Sequence, residues 1–322
     1  MSILKIGVLG CANVACNHVI PAILSLKDKY ELVGVASRSK EKADYFAKSF
    51  GCKSYYGYNS ILEDRGIDAL YIPLPTGLHK EWIGKSIQAG KHVYAEKSIA
   101  FSVEDVENMI NSAKSNRLAL MEGYMFQYHD QHQIVKKMLS NGEIGAIRHV
   151  KASFGFPPLD KDNFRYKAQI GGGALYDVGG YVWRALNFLF GNIFDVKASN
   201  IYVNDEGTSI YGSAFAVSTN GISGEISYGF DNYYQCNYEI WGSTGRIFCP
   251  KAFTPKEHEI TKILLEKQNE KNVIECLPCN HFKKSMEEFH RICEDENSRF
   301  CHFSDILHQI EGLQKMKMLN KE

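Results

Sequence analysis

The residues that could do chemistry begin where the first apolar run ends. Gly10-Cys11-Ala12-Asn13-Val14-Ala15 closes that run and opens a helical stretch. It occupies the place of a G-x-G-x-x-G turn, with Ala at the second and third glycine positions. Such a turn aims backbone N–H groups and a helix N-terminus at a pyrophosphate. Ala15 falls within the usual pattern, whereas the methyl of Ala12 stands where a pyrophosphate approaches the backbone. A strand–helix turn with no ligand is the plainer reading of the same residues. Their position at the first strand of a βαβ series favours the dinucleotide. The next apolar run ends in Val35-Ala36-Ser37-Arg38-Ser39, with no acid to hold ribose hydroxyls. Ser37 and Arg38 can instead bind a 2′-phosphate, with Lys40 or Lys42 adding charge. NADP(H) is therefore expected over NAD(H), a solvated loop arginine being the alternative.

The elements that must position these residues alternate over the first 123 positions. Short apolar runs at 6–10, 32–36, 69–72, 92–95 and 118–123 read as strands. Helical patterns lie between them, through residue 26, from a Ser39 cap through 50, at 78–89 and at 102–115. Ser102 followed by Asp105 is an N-terminal capping signature. Strands alternating with helices imply a parallel sheet built of βαβ units. After a helix at 129–139 the pattern changes. Strand signals at 147–156, 195–202, 212–218, 223–228, 235–241 and 246–249 follow closely, split by turns such as Thr219-Asn220-Gly221 and Gly242-Ser243-Thr244-Gly245. A helix from Gly171-Gly172-Gly173 to about residue 190 interrupts them, and 281–319 is helical. The expected fold class is α/β: an N-terminal Rossmann doubly wound parallel sheet at 1–124, then an α+β domain at 125–322 with a large, mostly antiparallel sheet. The C-terminal helix is allowed to pack back on the first domain.

Composition agrees with two domains, since 322 residues at about 150 per domain give roughly that number. Lys+Arg and Asp+Glu are 37 each, so no net basic charge favours nucleic acid or an anionic membrane. The 18 Tyr and 18 Phe are better read as core and pocket walls than as base-stacking residues. Nine cysteines, an odd number without repeat, point to reduced thiols and a cytoplasmic setting. Lys5 breaks the first apolar run, so no signal peptide is expected, and no apolar stretch has the length of a membrane span. Cys276-x-x-Cys279 has no second pair, and His129-x-x-His132 lacks further ligands, so no metal site is expected.

Several motifs recur together at family-like intervals. Gly10-x-Ala12-x-x-Ala15, Pro73-x-Pro75-Thr76-Gly77-Leu78-His79 and Gly90-Lys91-His92-Val93-Tyr94-Ala95-Glu96-Lys97 come first. Glu122-Gly123-Tyr124-Met125-Phe126, Asn163-Phe164-Arg165-Tyr166, the run from Gly171 to Tyr181, and Glu239-Ile240-Trp241-Gly242-Ser243-x-Gly245-Arg246 follow. The chain thereby resembles, over nearly its whole length, the glucose–fructose oxidoreductase / inositol dehydrogenase / rhizopine-catabolism (Gfo/Idh/MocA) family of NAD(P)-dependent sugar oxidoreductases. It departs twice. Ser98 follows Glu96-Lys97 where many members have Pro. Asp177-x-x-x-Tyr181 stands where inositol-dehydrogenase-like members carry Asp-x-x-x-His. Tyr at that point resembles the branch of glucose–fructose oxidoreductase, dihydrodiol and xylose dehydrogenases, and deoxysugar-nucleotide ketoreductases.

The resemblance implies a site as well as a fold. A ketone gaining hydride develops negative charge on oxygen and must take a proton. A Tyr hydroxyl is a competent acid, and a nearby ammonium lowers its pKa and stabilises the alkoxide. Tyr181 is the expected general acid and Lys97 its electrostatic partner, with Lys97 as direct donor the close alternative. Asp177 at i−4 shares a helical face with Tyr181. By pattern alone Lys97 reads as a loop charge, Tyr181 as core and Asp177 as a local cap; the resemblance reverses this. Gly10, Cys11, Ala12, Asn13, Val14, Ser37, Arg38, Pro75, Thr76, His79, Glu96 and Lys97 are expected around the cofactor, with His79 equally readable as a satisfied core histidine. Tyr124, Phe126, Arg165 and Tyr166 join Asp177 and Tyr181 on the substrate side. The leading expectation is NADPH-dependent reduction of a nucleotide-linked 3-keto sugar. A dehydrogenase of a free sugar or dihydrodiol is the runner-up, and a non-catalytic NADP-binding regulator the reading of another class. One open sheet face would pack on a second copy, giving a homodimer or homotetramer.

Overall fold

The computed structural model describes residues 3–320, and the chain divides into two compact units. The first comprises residues 1–123 and 282–307, the second residues 124–281 and 308–322.

In the first unit the strands are β1 Leu4–Leu9, β2 Tyr30–Ser37, β3 Lys53–Tyr56, β4 Ala69–Ile72, β5 His92–Ala95 and β6 Leu120–Glu122. They form one sheet in the order β3-β2-β1-β4-β5-β6, and every pairing is parallel. Helices α1 Ile20–Ser25, α2 Lys40–Phe50, α3 Tyr58–Glu63, α4 His79–Gln88 and α5 Val103–Ser115 join them. β4 and β6 are buried at every residue, as strands covered on both faces must be. The strand order reverses at β1, and parallel strands put Gly10, Ser37, Pro73, Glu96 and Gly123 at the same, carboxyl edge of the sheet. That edge at the reversal point is where doubly wound sheets take ligands. Ser39 and Ser102 cap α2 and α5 as their positions foretold, their side chains accepting from Lys42 N and Asp105 N.

The second unit holds β7 Ile147–Gly155, β8 Phe194–Val203, β9 Ser209–Ser218, β10 Ser223–Gly229, β11 Gln235–Gly242, β12 Gly245–Cys249, β13 Thr261–Lys267 and β14 Glu270–Cys276. Their order is β14-β13-β12-β11-β7-β10-β9-β8, antiparallel except for β7 with β10. Helices α6 Asp130–Ser140 and α7 Gly180–Phe190 belong to this unit. Val150, Ala152, Phe154, Ile226, Tyr238 and Ile240 point to the buried face, alternating with exposed neighbours such as Lys151 and Glu225. The other face leaves Phe215, Trp241 and Val273 exposed. The tail is two helices, α8 His281–Glu294 and α9 Glu296–Leu319. Among the described residues no helix is long and apolar enough to cross a membrane.

Two helical stretches differ from expectation in kind. The one after Gly10 and the one after Gly173 each open with a π turn, at Ala15–Val19 and Leu175–Gly179. Asp177 therefore lies in the wider i→i+5 turn and Tyr181 in the α-helix beyond it, rather than both on an α-helical face. β3, α3, β13 and β14 also went unread. β3 and β14 are edge strands with mostly exposed, polar residues, so they lack the apolar signal on which strand reading depends.

Candidate functional site

In the first unit, the turn after β1 is closed by Gly10 N donating to Ala36 O at 3.0 Å. Gly10 has φ +128°, a backbone conformation that demands glycine, and a Cβ there would also press on the Leu74 side chain, 2.8 Å away. The helix that follows has no acid in its first turn, and its N-cap residue Val14 makes no side-chain cap. Cys11 turns its Sγ toward Ala36 O and Lys42 O, and burial raises its pKa. At the end of β2, buried Ser37 accepts from Ser39 N at 3.2 Å. Arg38 is exposed and its positive charge lies near the Tyr58 phenol. Uncapped N–H groups, a close backbone turn and a Ser-Arg pair with no acid among residues 36–39 fit a dinucleotide bearing a 2′-phosphate, with Glu41 held by the Ser39 hydroxyl. Pro75 and Thr76 lie half-buried at the start of a short 3-10 turn, Thr76–Leu78.

The segment after β5 carries Lys97 and is pinned by three side chains. Tyr71 on β4 donates to Glu96 Oε1 at 2.7 Å. His79, fully buried, bonds Ser98 O through Nδ1 at 2.9 Å. Glu122, at the end of β6, accepts from Ile99 N at 2.8 Å. Burial pulls His79 down to about 4, so it is a neutral donor that holds backbone. Lys97 itself is half-buried. The Lys97–Ser98 peptide bond is cis. Tyr71 and Glu122 were not singled out from the sequence. Glu122 lies in a quoted motif, whereas Tyr71 carries no local signal.

In the second unit, Tyr181 is 6 % exposed and ringed by aromatics. Tyr124 meets it edge-on at 5.3 Å, Phe154 edge-on at 5.2 Å, and Phe126 and Phe253 lie at 5.8 and 5.9 Å. Its hydroxyl donates to Met125 Sδ at 3.4 Å. Tyr124 and Phe126 are fully buried, so they form the wall behind Tyr181. Gln309 of α9 donates to Tyr124 OH at 3.1 Å and to Gly180 O at 2.9 Å. No pattern in the sequence pointed to Gln309. Asp177 pairs with Arg165, and Tyr166 OH accepts from Leu159 N at 2.9 Å.

The candidate metal ligands have other engagements. His132 bonds Tyr238 OH through Nδ1 and Ala252 O through Nε2, each at 2.9 Å, and burial lowers it to about 3. His129 Nδ1 accepts from Gln131 N. Buried Cys279 reaches Tyr128 O. Among the described residues no group of three or more His, Cys, Asp or Glu could hold a metal ion.

Residues 4–124 match the model of an oxidoreductase family with an NAD-binding Rossmann fold, and residues 132–248 match the GFO/IDH/MocA C-terminal domain. A dTDP-3,4-didehydro-2,6-dideoxy-alpha-D-glucose 3-reductase from Saccharopolyspora spinosa is 41 % identical over 82 % of this chain and 80 % of its own. An enzyme of the same name from Actinomadura kijaniata is 36 % identical over 89 % and 86 %. A solved 3-ketoreductase from Actinomadura kijaniata, in complex with NADP and TDP-benzene, superposes with a TM-score of 0.95 at 32 % identity, covering 99 % of this chain and 98 % of that one. Variants of it, with one lysine replaced by Ala or Glu and one tyrosine by Phe, are solved with the same ligands.

Proposed function

This chain belongs to the Gfo/Idh/MocA family of oxidoreductases, and on that premise we propose that it reduces a nucleotide-linked 3-keto sugar with NADPH. The observation that carries this reading is the similarity to dTDP-sugar 3-reductases over four fifths of both chains. The Ser37-Arg38 pair supports NADPH over NADH as the cofactor.

A bound nicotinamide dinucleotide supplies the hydride in such a reaction. The chain's own residues then manage charge and a proton. As the ketone carbon is reduced, its oxygen becomes an alkoxide. Tyr181 delivers its phenolic proton to that oxygen, and the Lys97 ammonium stabilises the charge on both oxygens during the transfer. Asp177 accepts a hydrogen bond from a sugar hydroxyl and so orients the ring. The aromatic wall of Tyr124, Phe126, Phe154 and Phe253 keeps water from competing for the proton. The same reading includes a homodimer or homotetramer, with Phe215, Trp241 and Val273 of the open sheet face covered by another copy.

The test is turnover of a dTDP-linked 3-keto sugar by wild type, Tyr181→Phe, Lys97→Ala and the double variant. Each single change is expected to lower kcat by about 10² to 10⁴ with NADPH affinity retained. The double variant is expected to lose less than the product of the two, since both groups serve one transition state. Near-normal turnover in both single variants removes the mechanism. Tighter binding of NADH than of NADPH removes the cofactor assignment.

A further inference from the structure

Arg165 and Asp177, twelve positions apart, meet as Nε to Oδ2 at 2.5 Å. The guanidinium side chain is 31 % exposed and the carboxylate 16 %, and a pair this accessible contributes little to stability. Its surroundings are nonetheless built closely. Asn163 Oδ1 accepts from Arg165 N at 3.1 Å and sets the short turn Phe164–Tyr166. Thr208 Oγ1 donates to Tyr166 O at 2.9 Å, and Gly172 N donates to Lys167 O at 3.0 Å. A Cβ on Gly172 would overlap the Arg165 carbonyl oxygen and come within 2.7 Å of that of Phe164. The Gly171–Gly173 run therefore lets the arginine-bearing segment lie directly against the start of the Asp177 turn. These restraints fix the backbone that carries Arg165 relative to the start of the Asp177 turn, and the guanidinium then meets the carboxylate directly.

We propose that Arg165 is a positioning residue that aims the Asp177 carboxylate at a hydroxyl of the keto sugar, rather than a grip for the substrate's diphosphate. This rests on the reductase reading above. A carboxylate has about four lone-pair positions, so a guanidinium contact is compatible with accepting from a sugar hydroxyl as well. The rigid guanidinium fork fixes direction in a way that a lysine ammonium does not. Direction matters because a misplacement of ~1 Å in the bound sugar costs on the order of 10²-fold in rate.

The experiment compares wild type, Arg165→Ala, Arg165→Lys, Asp177→Asn and the double variant Arg165→Ala/Asp177→Asn. It reads kcat with a dTDP-linked 3-keto sugar, and the Kd of TDP by calorimetry. Arg165→Ala is expected to lower kcat about 30-fold, with the TDP Kd within about twofold of wild type. The double variant should be no slower than Asp177→Asn alone, because the arginine acts through the aspartate. Millimolar guanidinium ion should restore part of the rate to Arg165→Ala and none to Asp177→Asn. Losses that multiply, an unchanged rate in Arg165→Ala, or a TDP Kd weakened more than about tenfold with kcat retained each overturn the proposal. If Arg165→Ala fails to fold, Arg165→Lys decides: a rate below about a third of wild type supports positioning, and a wild-type rate overturns it. Absence of turnover in wild type sinks the reductase reading and this inference with it. Normal wild-type turnover with an indifferent Arg165 sinks this inference alone.

Discussion

The molecule uses one backbone device twice and gives it opposite electrostatics. Gly10 and Gly173 both have φ +128°, and each leads into a helix that opens with a π turn. After Gly10 the first turn contains no acid. After Gly173 the first turn contains Asp177, answered by Arg165, and Leu175 N donates to Ser209 Oγ at 3.2 Å. The first helix start thus offers its N–H groups and positive end to an anion from outside. The second is supplied with a carboxylate and a hydroxyl from within the chain, and suits neutral hydroxyl groups better than phosphate. On the proposed reading, the same local geometry would serve two ligand chemistries because the residues set on it differ in charge.

The sharpest way to break this contrast is to move a charge to the first turn. Asn13→Asp exchanges an amide nitrogen for an oxygen and adds a carboxylate immediately before the Val14 cap of that turn. It should weaken NADPH binding by about 100-fold through repulsion of the pyrophosphate. The melting temperature should hold or rise, since an acid suits a helix N-terminus. Fluorescence titration and a thermal scan together read both signs. Unchanged affinity would mean that this turn does not face the cofactor.

A smaller effect is expected from Gly172→Ala. The added Cβ has no room beside the Arg165 and Phe164 carbonyls, so the arginine segment must shift from the Asp177 turn. Steady-state kinetics should show kcat reduced by about tenfold with NADPH affinity unaltered. A loss of NADPH binding instead would show that the second turn is not separable from the first.

The smallest effect concerns acid stability. Burial depresses His79 to about 4 and His132 to about 3, one in each unit. Their folded values lie below the ordinary value of 6.5, so the unfolded chain binds more protons between these limits. The stability they contribute is full above pH 6.5 and is lost as pH falls toward 4. The urea midpoint should fall between about pH 6.5 and pH 5, before carboxylates titrate. A flat midpoint over that window contradicts it.

Strands and caps were legible where local pattern and burial agree. The runs 69–72 and 92–95 are β4 and β5 to the residue, and Ser39 and Ser102 cap as read. The edge strands β3 and β14 were not legible, because an edge is kept polar. The π turns escaped notice because apolar spacing cannot separate an i→i+5 turn from an α-helix over five residues. Tyr124, expected on the substrate side, is buried against Tyr181 and held by Gln309, partners that no local pattern names.

Family resemblance singled out Lys97, Asp177 and Tyr181, whereas the sequence by itself determined the order of most of the elements, the glycine turns and the absence of an acid directly after β2. Those depend on residue type and short-range spacing, which the chain carries openly. Tertiary structure alone decided the partners: Tyr71 on Glu96, His79 on Ser98 O, Glu122 on Ile99 N, Gln309 on Tyr124 and Arg165 on Asp177. A buried polar group must find a hydrogen bond wherever packing brings a donor or acceptor. That choice follows from which elements meet in space, and no local period in the chain encodes it.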